Sequence, residues 1–252
     1  MRLKDKIAVV TGGSRGIGQA VSELFAKEGA TVIIVDLLPQ GQEVADGINS
    51  GGGKAEFHSV SVTDKPAIEK LFAEVNEKHG KLDILINNAG AAWGAPVEEF
   101  PESGWDKVMD LNVKSIFFLS KGLLPALRLA GTADEPSRIV NIASVNGITH
   151  PHMDNYSYSA SKAAVIQMTR HMAADLRPSH VNINAIAPGL FPSKMTKHVL
   201  AHEQEIANKL PARKIGELAD VAGTAIYLCS RASNYVCGHT VVLDGGQVAN
   251  AG

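Results

Sequence analysis

This chain of 252 residues has few cysteines, a small net charge and no long apolar run, and each of these features argues against a class of protein. Cys229 and Cys237 are the two cysteines, too few and wrongly spaced for a disulfide framework or a Cys-x-x-Cys redox site. No apolar stretch approaches the roughly 18 residues of a membrane span, and the run that begins at Ile7 is too short for the core of a signal peptide. A net charge of −2 without any block of like charges argues against a nucleic acid partner. We therefore expect a soluble, cytoplasmic protein whose partner is neither a membrane nor a nucleic acid.

Short β-branched runs alternate with longer helical stretches along the whole chain. The runs that predict strands cover residues 7–10, 31–35, 55–60, 82–86, 138–142, 181–186 and 240–243. Residues 105–128 and 155–176 predict two long helices. This alternation implies right-handed crossovers and a parallel sheet that helices cover on both faces. We predict an α/β fold over residues 1–252, a single domain with a doubly wound parallel sheet of about seven strands.

A glycine-rich segment, Thr11-Gly-Gly-Ser-Arg-Gly-Ile-Gly, follows the first predicted strand and leads into a helix that we expect to begin near Gln19. Gly12, Gly16 and Gly18 permit a tight turn and a close approach of the backbone, and the N-terminus of a helix offers free amides to a phosphate. The spacing Gly-x-x-x-Gly-x-Gly departs from the common dinucleotide fingerprint and is also compatible with an ordinary strand-to-helix turn. Its position after the first strand favours a site for the pyrophosphate of a dinucleotide.

Two charged residues near this segment favour different cofactors. Asp36 ends the second predicted strand, where a carboxylate accepts hydrogen bonds from the adenosine ribose of NAD and repels the 2′-phosphate of NADP. Arg15, in the glycine segment, would hold that phosphate, although it can equally face solvent or pair with a carboxylate. Asp36 can also initiate a turn, since a loop starts at Leu37. Because we give Asp36 the greater weight, we predict NAD(H), with NADP(H) as the alternative.

Tyr158 and Lys162 are four residues apart and therefore share one face of a predicted helix. An ammonium beside a phenol favours the phenolate. We therefore expect Lys162 to lower the pKa of Tyr158 toward the working pH, where a proton donor is most effective. The same spacing is common on helices where both side chains are merely solvated. The pair gains a functional interpretation from the motifs that accompany it.

Five motifs occur in an order and spacing that make the chain resemble the classical short-chain dehydrogenase/reductases, nearly from end to end. They are Thr11 to Gly18, Asn87-Asn-Ala-Gly, Asn112, Ser144, and Tyr158 to Lys162. The resemblance implies a Rossmann-type domain that transfers a hydride between a nicotinamide cofactor and a small-molecule secondary alcohol or ketone.

The resemblance also implies roles for four residues. Tyr158 would donate a proton in reduction and accept one in oxidation, and Lys162 would bind the nicotinamide ribose as well as lower the pKa of Tyr158. Ser144 would orient the substrate oxygen. Asn112 resembles the asparagine that holds a water between the lysine and bulk solvent, although an asparagine inside a helix can simply satisfy backbone groups.

Contacts to the dinucleotide are implied in the same way. They are Gly12, Ser14, Arg15, Gly16, Ile17, Gly18, Asp36, Leu37, Val62, Asn88, Ala89, Gly90, Tyr158, Lys162, Pro188, Gly189, Phe191 and Ser193. Ser193 stands where the family usually has threonine, so the hydroxyl that meets the carboxamide is retained. Phe191 replaces a smaller aliphatic residue and would cover the nicotinamide ring. Ser61 departs from the acidic or amide residue that the family more often places against the adenine, while Val62 would still pack on that ring.

The substrate side of the site is less defined by the sequence. We expect residues 190–212 to form a substrate lid, because ligands in such folds sit outside the carboxyl ends of the strands. Lys194, Lys197 and His198 would attract an anionic substrate, but basic residues of this kind are also typical of a solvated helix. His198 and His202 have the spacing of two metal ligands without a third, so we predict no metal site.

Three functions remain compatible with the sequence. The first is an NAD(H)-dependent oxidoreductase for a secondary alcohol or ketone. The second is an NADPH-dependent reductase of a 3-oxoacyl thioester, because Ser14-Arg15 and Ala187-Pro-Gly look like the 3-oxoacyl-[acyl-carrier-protein] reductases. The third is a dinucleotide-binding sensor or scaffold without chemistry, against which the intact catalytic set argues. The resemblance also implies a homo-oligomer, a tetramer or a dimer, with residues 105–128 and 155–176 as candidates for the interface.

Overall fold

The structure is a computed structural model that describes residues 1–151, 153–192 and 203–250. Its strands are β1 (Ile7–Thr11), β2 (Thr31–Asp36), β3 (Lys54–Ser59), β4 (Ile84–Asn87), β5 (Ser137–Ile142), β6 (Val181–Pro188) and β7 (Thr240–Leu243). Its α-helices are α1 (Gly16–Lys27), α2 (Gln40–Ser50), α3 (Lys65–His79), α4 (Glu102–Met109), α5 (Ser115–Ala130), α6 (Tyr156–Leu176), α7 (Glu203–Lys209) and α8 (Leu218–Cys229). Within these described ranges, no helix combines the length and the hydrophobicity that a membrane crossing requires.

The strands form one parallel sheet in the order β3-β2-β1-β4-β5-β6-β7. The chain order reverses at β1, because β2 and β3 lie on one side of it and β4 to β7 on the other. Such a switch point leaves a crevice outside the carboxyl ends of the strands, where doubly wound folds bind their ligands. The predicted fold class, a Rossmann-type sheet of seven strands, is confirmed.

Helices cover both faces of the sheet, so the strands are apolar on both faces. In β1, Ala8 and Val10 join a core cluster with residues of α1, α2 and α8, whereas Val9 joins a second cluster with residues of α3, α5 and α6. Successive side chains of a strand point to opposite faces. A continuous apolar run is therefore what a strand between two helical layers requires.

Several element boundaries differ from the predicted ones by two or three residues, and local contacts explain two of them. Helix α1 begins at Gly16 rather than near Gln19. Glycines have a low helix propensity, but here the close packing of Gly18 on the carbonyl of Gly12 fixes the first turn. Strand β4 begins at Ile84 rather than two residues earlier, because the carboxylate of Asp83 accepts the amide of Ile7 and the strand ladder starts after it.

The long helix predicted over residues 105–128 is present, but a π-helical segment, Asp110–Lys114, divides it into α4 and α5. Such a segment inserts an extra residue into the helical repeat and re-aims the side chains within it. The side chains of Asp110 and Lys114 are exposed and paired with each other, while Asn112 between them is completely buried. The irregularity thus turns Asn112 toward the interior.

Candidate active site

A cavity of about 530 Å³ opens at the crevice beside β1. Most of the residues predicted to contact a dinucleotide or to react line it: Gly12, Arg15, Gly16, Ile17, Asp36, Leu37, Val62, Asn88, Ala89, Gly90, Ser144, Tyr158, Lys162, Pro188, Gly189 and Phe191. These residues come from seven separate stretches of the sequence. The fold therefore gathers the predicted set at one place.

Three of the predicted residues that the structure describes do not line this cavity. Ser14, Gly18 and Asn112 are buried behind its wall, where they hold the lining segments. Ser193 lies outside the described residues, as do Lys194, His198, His202 and the central part of the predicted lid.

Other lining residues were not singled out from the sequence as contacts. They are Val35, Leu38, Val60, Ser61, Leu111, Ile142, Ala143 and Pro192. Several of them end a strand or follow its end, and the carboxyl end of every central strand faces the crevice in this kind of fold. That rule, applied to each predicted strand, identifies Val35 and Ile142 without a motif.

The glycine segment is built by close backbone contacts. Gly12 has a φ of +64°, and a Cβ there would lie 2.9 Å from the Cα of Ala89. A Cβ at Gly18 would lie 2.1 Å from the carbonyl oxygen of Gly12. Gly16 has a φ of +56°, but a Cβ there would meet no atom within 4 Å because this residue borders the open cavity. Gly12 and Gly18 are required for packing, and Gly16 leaves space for a ligand beside the backbone.

The N-terminus of α1 faces this space without a side-chain cap. Its N-cap residue is Arg15, which makes no side-chain cap hydrogen bond and has no acceptor to offer the first amides. Uncapped amides and the positive end of the helix dipole together attract an anion. The segment Gly16 to Gly18 therefore fits the pyrophosphate of a dinucleotide.

Asp36 is held in place by the backbone on either side of it. One carboxylate oxygen accepts the amide of Ser14 and the other accepts the amide of Leu38, each at 3.1 Å. The Ser14 hydroxyl donates to the carbonyl of Leu38 at 3.2 Å and closes the network. Asp36 is thus both the turn-forming residue and a cavity-lining carboxylate, which were alternatives in the sequence.

Ser144 and Tyr158 both line the cavity, and the Ser144 side chain acts on the phenol to lower its pKa. The Ser144 hydroxyl also accepts the amide of Asn146 at 3.2 Å, which leaves its own proton free to donate to the phenol. The short turn Val145–Gly147 carries Ser144 to this position. A Cβ at Gly147 would lie 2.6 Å from the backbone of Lys162, so only glycine permits the approach.

Burial raises the pKa of Tyr158, and the hydrogen bond from Ser144 lowers it only in part. The prediction that Lys162 brings this pKa down is therefore wrong for this structure. The ammonium nitrogen lies 5.5 Å from the centre of the Tyr158 ring and donates instead to the carbonyl of Ile142, at 2.7 Å. Burial also lowers the pKa of Lys162 to about 8, which reduces the fraction of this side chain that is protonated.

Asn112 connects the loop after β4 to α6. Its amide oxygen accepts the backbone N–H of Ala91, and its amide nitrogen donates to the Ala91 carbonyl, both at 2.9 Å. The same nitrogen donates to the hydroxyl of Ser161 at 3.0 Å. Both N–H groups are therefore used within the protein, as in the backbone-satisfying alternative. The water route to Lys162 stays a prediction.

Phe191 lines the cavity, but its ring belongs to the core. It is buried and packs over Gly216, where a Cβ would lie 2.2 Å from the ring. The ring joins the cluster that contains Val221 and Ala222 of α8. This packing does not support the prediction that Phe191 covers a nicotinamide ring. It anchors the segment that leaves β6.

Sequence and structure comparisons agree with this geometry. The family model described as enoyl-(acyl carrier protein) reductase matches residues 12–247. The rhamnolipids biosynthesis 3-oxoacyl-[acyl-carrier-protein] reductase of Pseudomonas aeruginosa is 39% identical, over 97% of this chain and 96% of that protein. The NAD-dependent glycerol dehydrogenase of Listeria innocua is 35% identical, over 97% of this chain and 94% of that protein.

A solved structure, the RhlG/NADP active-site complex of Pseudomonas aeruginosa, superposes with a TM-score of 0.92 at 38% identity, covering 98% of this chain and 97% of that one. The chain belongs to the short-chain dehydrogenase/reductase family, whose members are oxidoreductases that use a nicotinamide dinucleotide on CH–OH or C=O groups.

Proposed function

We propose that the chain is an NAD(H)-dependent oxidoreductase that interconverts a secondary alcohol and a ketone. The observation that carries the proposal is that Ser144, Tyr158 and Lys162 line the same cavity as the first residues of α1, whose N-terminus has no side-chain cap. A proton donor, a hydroxyl and an anion site in one crevice are the groups that this chemistry needs. We also propose that residues 1–252 form one dinucleotide-binding and catalytic domain with a substrate lid around residues 190–212.

Different groups of these residues would hold different parts of the dinucleotide. Gly16 to Gly18 would hold the pyrophosphate, Asp36 the adenosine ribose, and Leu37 and Val62 the adenine. The nicotinamide end would lie between Asn88 to Gly90 and Pro188 to Ser193, with Lys162 on its ribose. When bound, the nicotinamide supplies or receives the hydride.

Tyr158 would then carry the proton. Because burial raises its pKa, the phenol is protonated near neutral pH and is suited to protonate the oxygen of a ketone during reduction. Ser144 would donate to the same oxygen as negative charge develops on it. In the oxidation direction Tyr158 must first lose its proton, so this direction is favoured at alkaline pH.

The preference for NAD(H) rests on Asp36. Its carboxylate is fixed at the cavity by two amides, and no neighbouring cation among the described residues forms an ion pair with it. An anion held there opposes the negatively charged 2′-phosphate of NADP(H). NADP(H) is the second candidate, because Arg15 also borders the cavity and the solved relative from Pseudomonas aeruginosa is an NADP complex.

The second candidate function is an NADPH-dependent reductase of a 3-oxoacyl thioester. The relative with 39% identity is a 3-oxoacyl-[acyl-carrier-protein] reductase, while other relatives are described as glycerol and gluconate dehydrogenases. Both candidates use the same catalytic groups on a CH–OH or C=O group. They differ in the cofactor and in the substrate beyond the reacting carbon.

The test measures turnover with each of two cofactors and each of two substrate classes. The purified protein is assayed with NADH and NADPH against small ketones, including keto-sugar acids, and against an acetoacetyl thioester, by the loss of reduced-nicotinamide absorbance. Turnover of a ketone with NADH at least tenfold faster than with NADPH is expected. Faster turnover of the thioester with NADPH would establish the second candidate, and no turnover in any combination would contradict both.

We also propose that the protein is cytoplasmic and forms a homo-oligomer through the helices α5 and α6. Phe117 and Phe118 on α5 support this, because each exposes a large part of its ring to solvent and they contact each other edge to face. Light scattering coupled to size-exclusion chromatography gives the number of subunits. A monomeric mass at all concentrations would contradict the proposal.

A further inference from the structure

We propose that Ser161 is a positioning residue of the active site, which fixes Tyr158 and Lys162 against the loop that follows β4. The inference rests on the proposed function, because it takes Tyr158 and Lys162 as the groups around the reaction. Ser161 does not line the cavity and is completely buried on α6. It would therefore act through its neighbours and not on the substrate.

Ser161 is the middle link of a hydrogen-bonded chain between three elements. Asn112, in the π-helical segment, pairs with both backbone groups of Ala91. Its amide nitrogen also donates to the Ser161 hydroxyl, at 3.0 Å. The Ser161 hydroxyl in turn donates to the backbone carbonyl of Tyr158, at 2.7 Å. The loop that lines the cofactor side is thus tied to the residue that carries the reactive phenol.

The directions of these hydrogen bonds require a group at position 161 that both donates and accepts. The hydroxyl of Ser161 gives its proton to Tyr158, so its lone pairs are left to accept from Asn112. Successive bonds that run in one direction polarise and strengthen one another in a buried setting. An alanine at 161 would leave an N–H of Asn112 without this acceptor and away from water. A buried donor without an acceptor is energetically unfavourable.

The position of Ser161 explains why the catalytic geometry depends on it. Lys162 is the next residue, and its side chain reaches across to the carbonyl of Ile142 on β5. Tyr158 lies one turn before Lys162 and lines the cavity together with Ser144, which lowers the pKa of its phenol. Without the link to Asn112, the first turns of α6 can shift relative to Ala91, and a displacement of about 1 Å is sufficient to lower a rate roughly a hundredfold.

The same helix offers a matched control. Ser157 lies one turn before Ser161 and is also completely buried. Its hydroxyl has no hydrogen-bond partner among the residues that the structure describes. Ser157→Ala therefore removes the same atom from another fully buried position on α6 without breaking the hydrogen bond to Asn112.

The experiment compares Ser161→Ala, Ser157→Ala and the wild type in the full-length protein. For Ser161→Ala we expect kcat to fall about 10- to 100-fold, with the affinity for NADH, from fluorescence titration, within about threefold. We also expect the pH profile of kcat to shift, because the Tyr158 and Lys162 side chains move relative to Ser144 and Ile142. Ser157→Ala should keep kcat, NADH affinity and the pH profile of the wild type. Thermal unfolding of both variants shows that they are folded.

Wild-type turnover separates the two proposals. An inactive wild type refutes the proposed function and this inference with it. An active wild type with Ser161→Ala at wild-type kcat and pH profile refutes the inference alone, as does an equal loss in Ser157→Ala. If Ser161→Ala does not fold, Ser161→Thr is measured instead, since threonine keeps a hydroxyl that can bond to the carbonyl one turn back. A folded Ser161→Thr should be within about threefold of the wild type, and a tenfold loss would overturn the assignment.

Discussion

The ammonium of Lys162 donates a 2.7 Å hydrogen bond to the carbonyl of Ile142, the last residue of β5. The bond joins α6 to the strand that leads directly into Ser144. Lys162 therefore has a structural contact that fixes two catalytic segments together, in addition to any contact with a cofactor. Its ammonium is buried and lies 5.5 Å from the centre of the Tyr158 ring, while burial of Tyr158 itself raises the pKa of the phenol.

The burial of Lys162 should appear in the pH dependence of stability. Its pKa is about 8 in the folded protein and 10.5 in the reference state that stands for the unfolded chain. Between these values the unfolded chain holds a proton that the folded protein has released, so this group makes stability rise with pH across the window. In Lys162→Met the rise should be smaller.

The measurement is the free energy of unfolding in denaturant at pH values from 7 to about 10. The control is Lys70→Met, an exposed lysine on α3, which should follow the wild-type slope. A Lys162→Met protein whose slope equals that of the wild type would contradict the burial account.

Ser144→Ala should shift catalysis to higher pH. The hydrogen bond from Ser144 lowers the pKa of Tyr158 against the larger effect of burial, so its removal raises that pKa further. Oxidation needs the deprotonated phenol, and the rising limb of its kcat/KM profile should move toward alkaline pH. The pH at the midpoint of this rising limb is determined independently of the overall loss of rate. A limb that stays in place or moves to lower pH would show that the two hydroxyls are not coupled.

Asp36→Asn should relax the cofactor preference. The substitution removes the negative charge but keeps the size of the side chain, so the affinity for NADPH should rise at least tenfold, about 1.4 kcal/mol, while NADH binding changes less. Arg15→Gln is the complementary variant and should weaken NADPH alone. Parallel fluorescence titrations at one ionic strength measure both. If the wild type already binds NADPH more tightly than NADH, the preference for NAD(H) is wrong.

Gly16→Ala should weaken dinucleotide binding. The added methyl group would enter the cavity beside the N-terminus of α1, and the φ of +56° disfavours any residue with a Cβ. Gly47→Ala, in the middle of α2 with open space around it, should instead be neutral or slightly stabilising. Titration with NADH and thermal unfolding distinguish the two variants. Equal NADH affinity in Gly16→Ala and the wild type would show that this segment does not bind the pyrophosphate.

Periodicity was sufficient to predict the fold, and motif order named most of the residues that line the cavity. Alternating β-branched runs predicted the seven strands, because a strand between two helical layers must be apolar on both faces. Glycines at 12 and 18 predicted a close backbone approach, and the contact of Gly18 with Gly12 confirms that geometry. Asp36 was placed at the end of β2 by the length of a single apolar run.

The features that the sequence did not predict depend on contacts between distant residues. The bond between Asn112 and Ser161 spans 49 positions and requires a π-helical segment that no local pattern indicated. The raised pKa of Tyr158 results from its burial, which outweighs the opposite effect of Ser144. Phe191 was assigned to the ligand side because of its position in a motif, whereas Gly216 provides space for its ring in the core.

The role of Tyr158 is the centre of the account, and two variants on the same helix test it. Tyr158→Phe removes only the phenolic hydroxyl from the cavity, and Tyr156→Phe removes one that is exposed and bonded to Asp154. Turnover is measured with NADH and the best ketone, together with NADH affinity by fluorescence. The account predicts that Tyr158→Phe loses about 10²- to 10⁴-fold in kcat with NADH affinity retained, while Tyr156→Phe stays active. A Tyr158→Phe protein with wild-type turnover would contradict it.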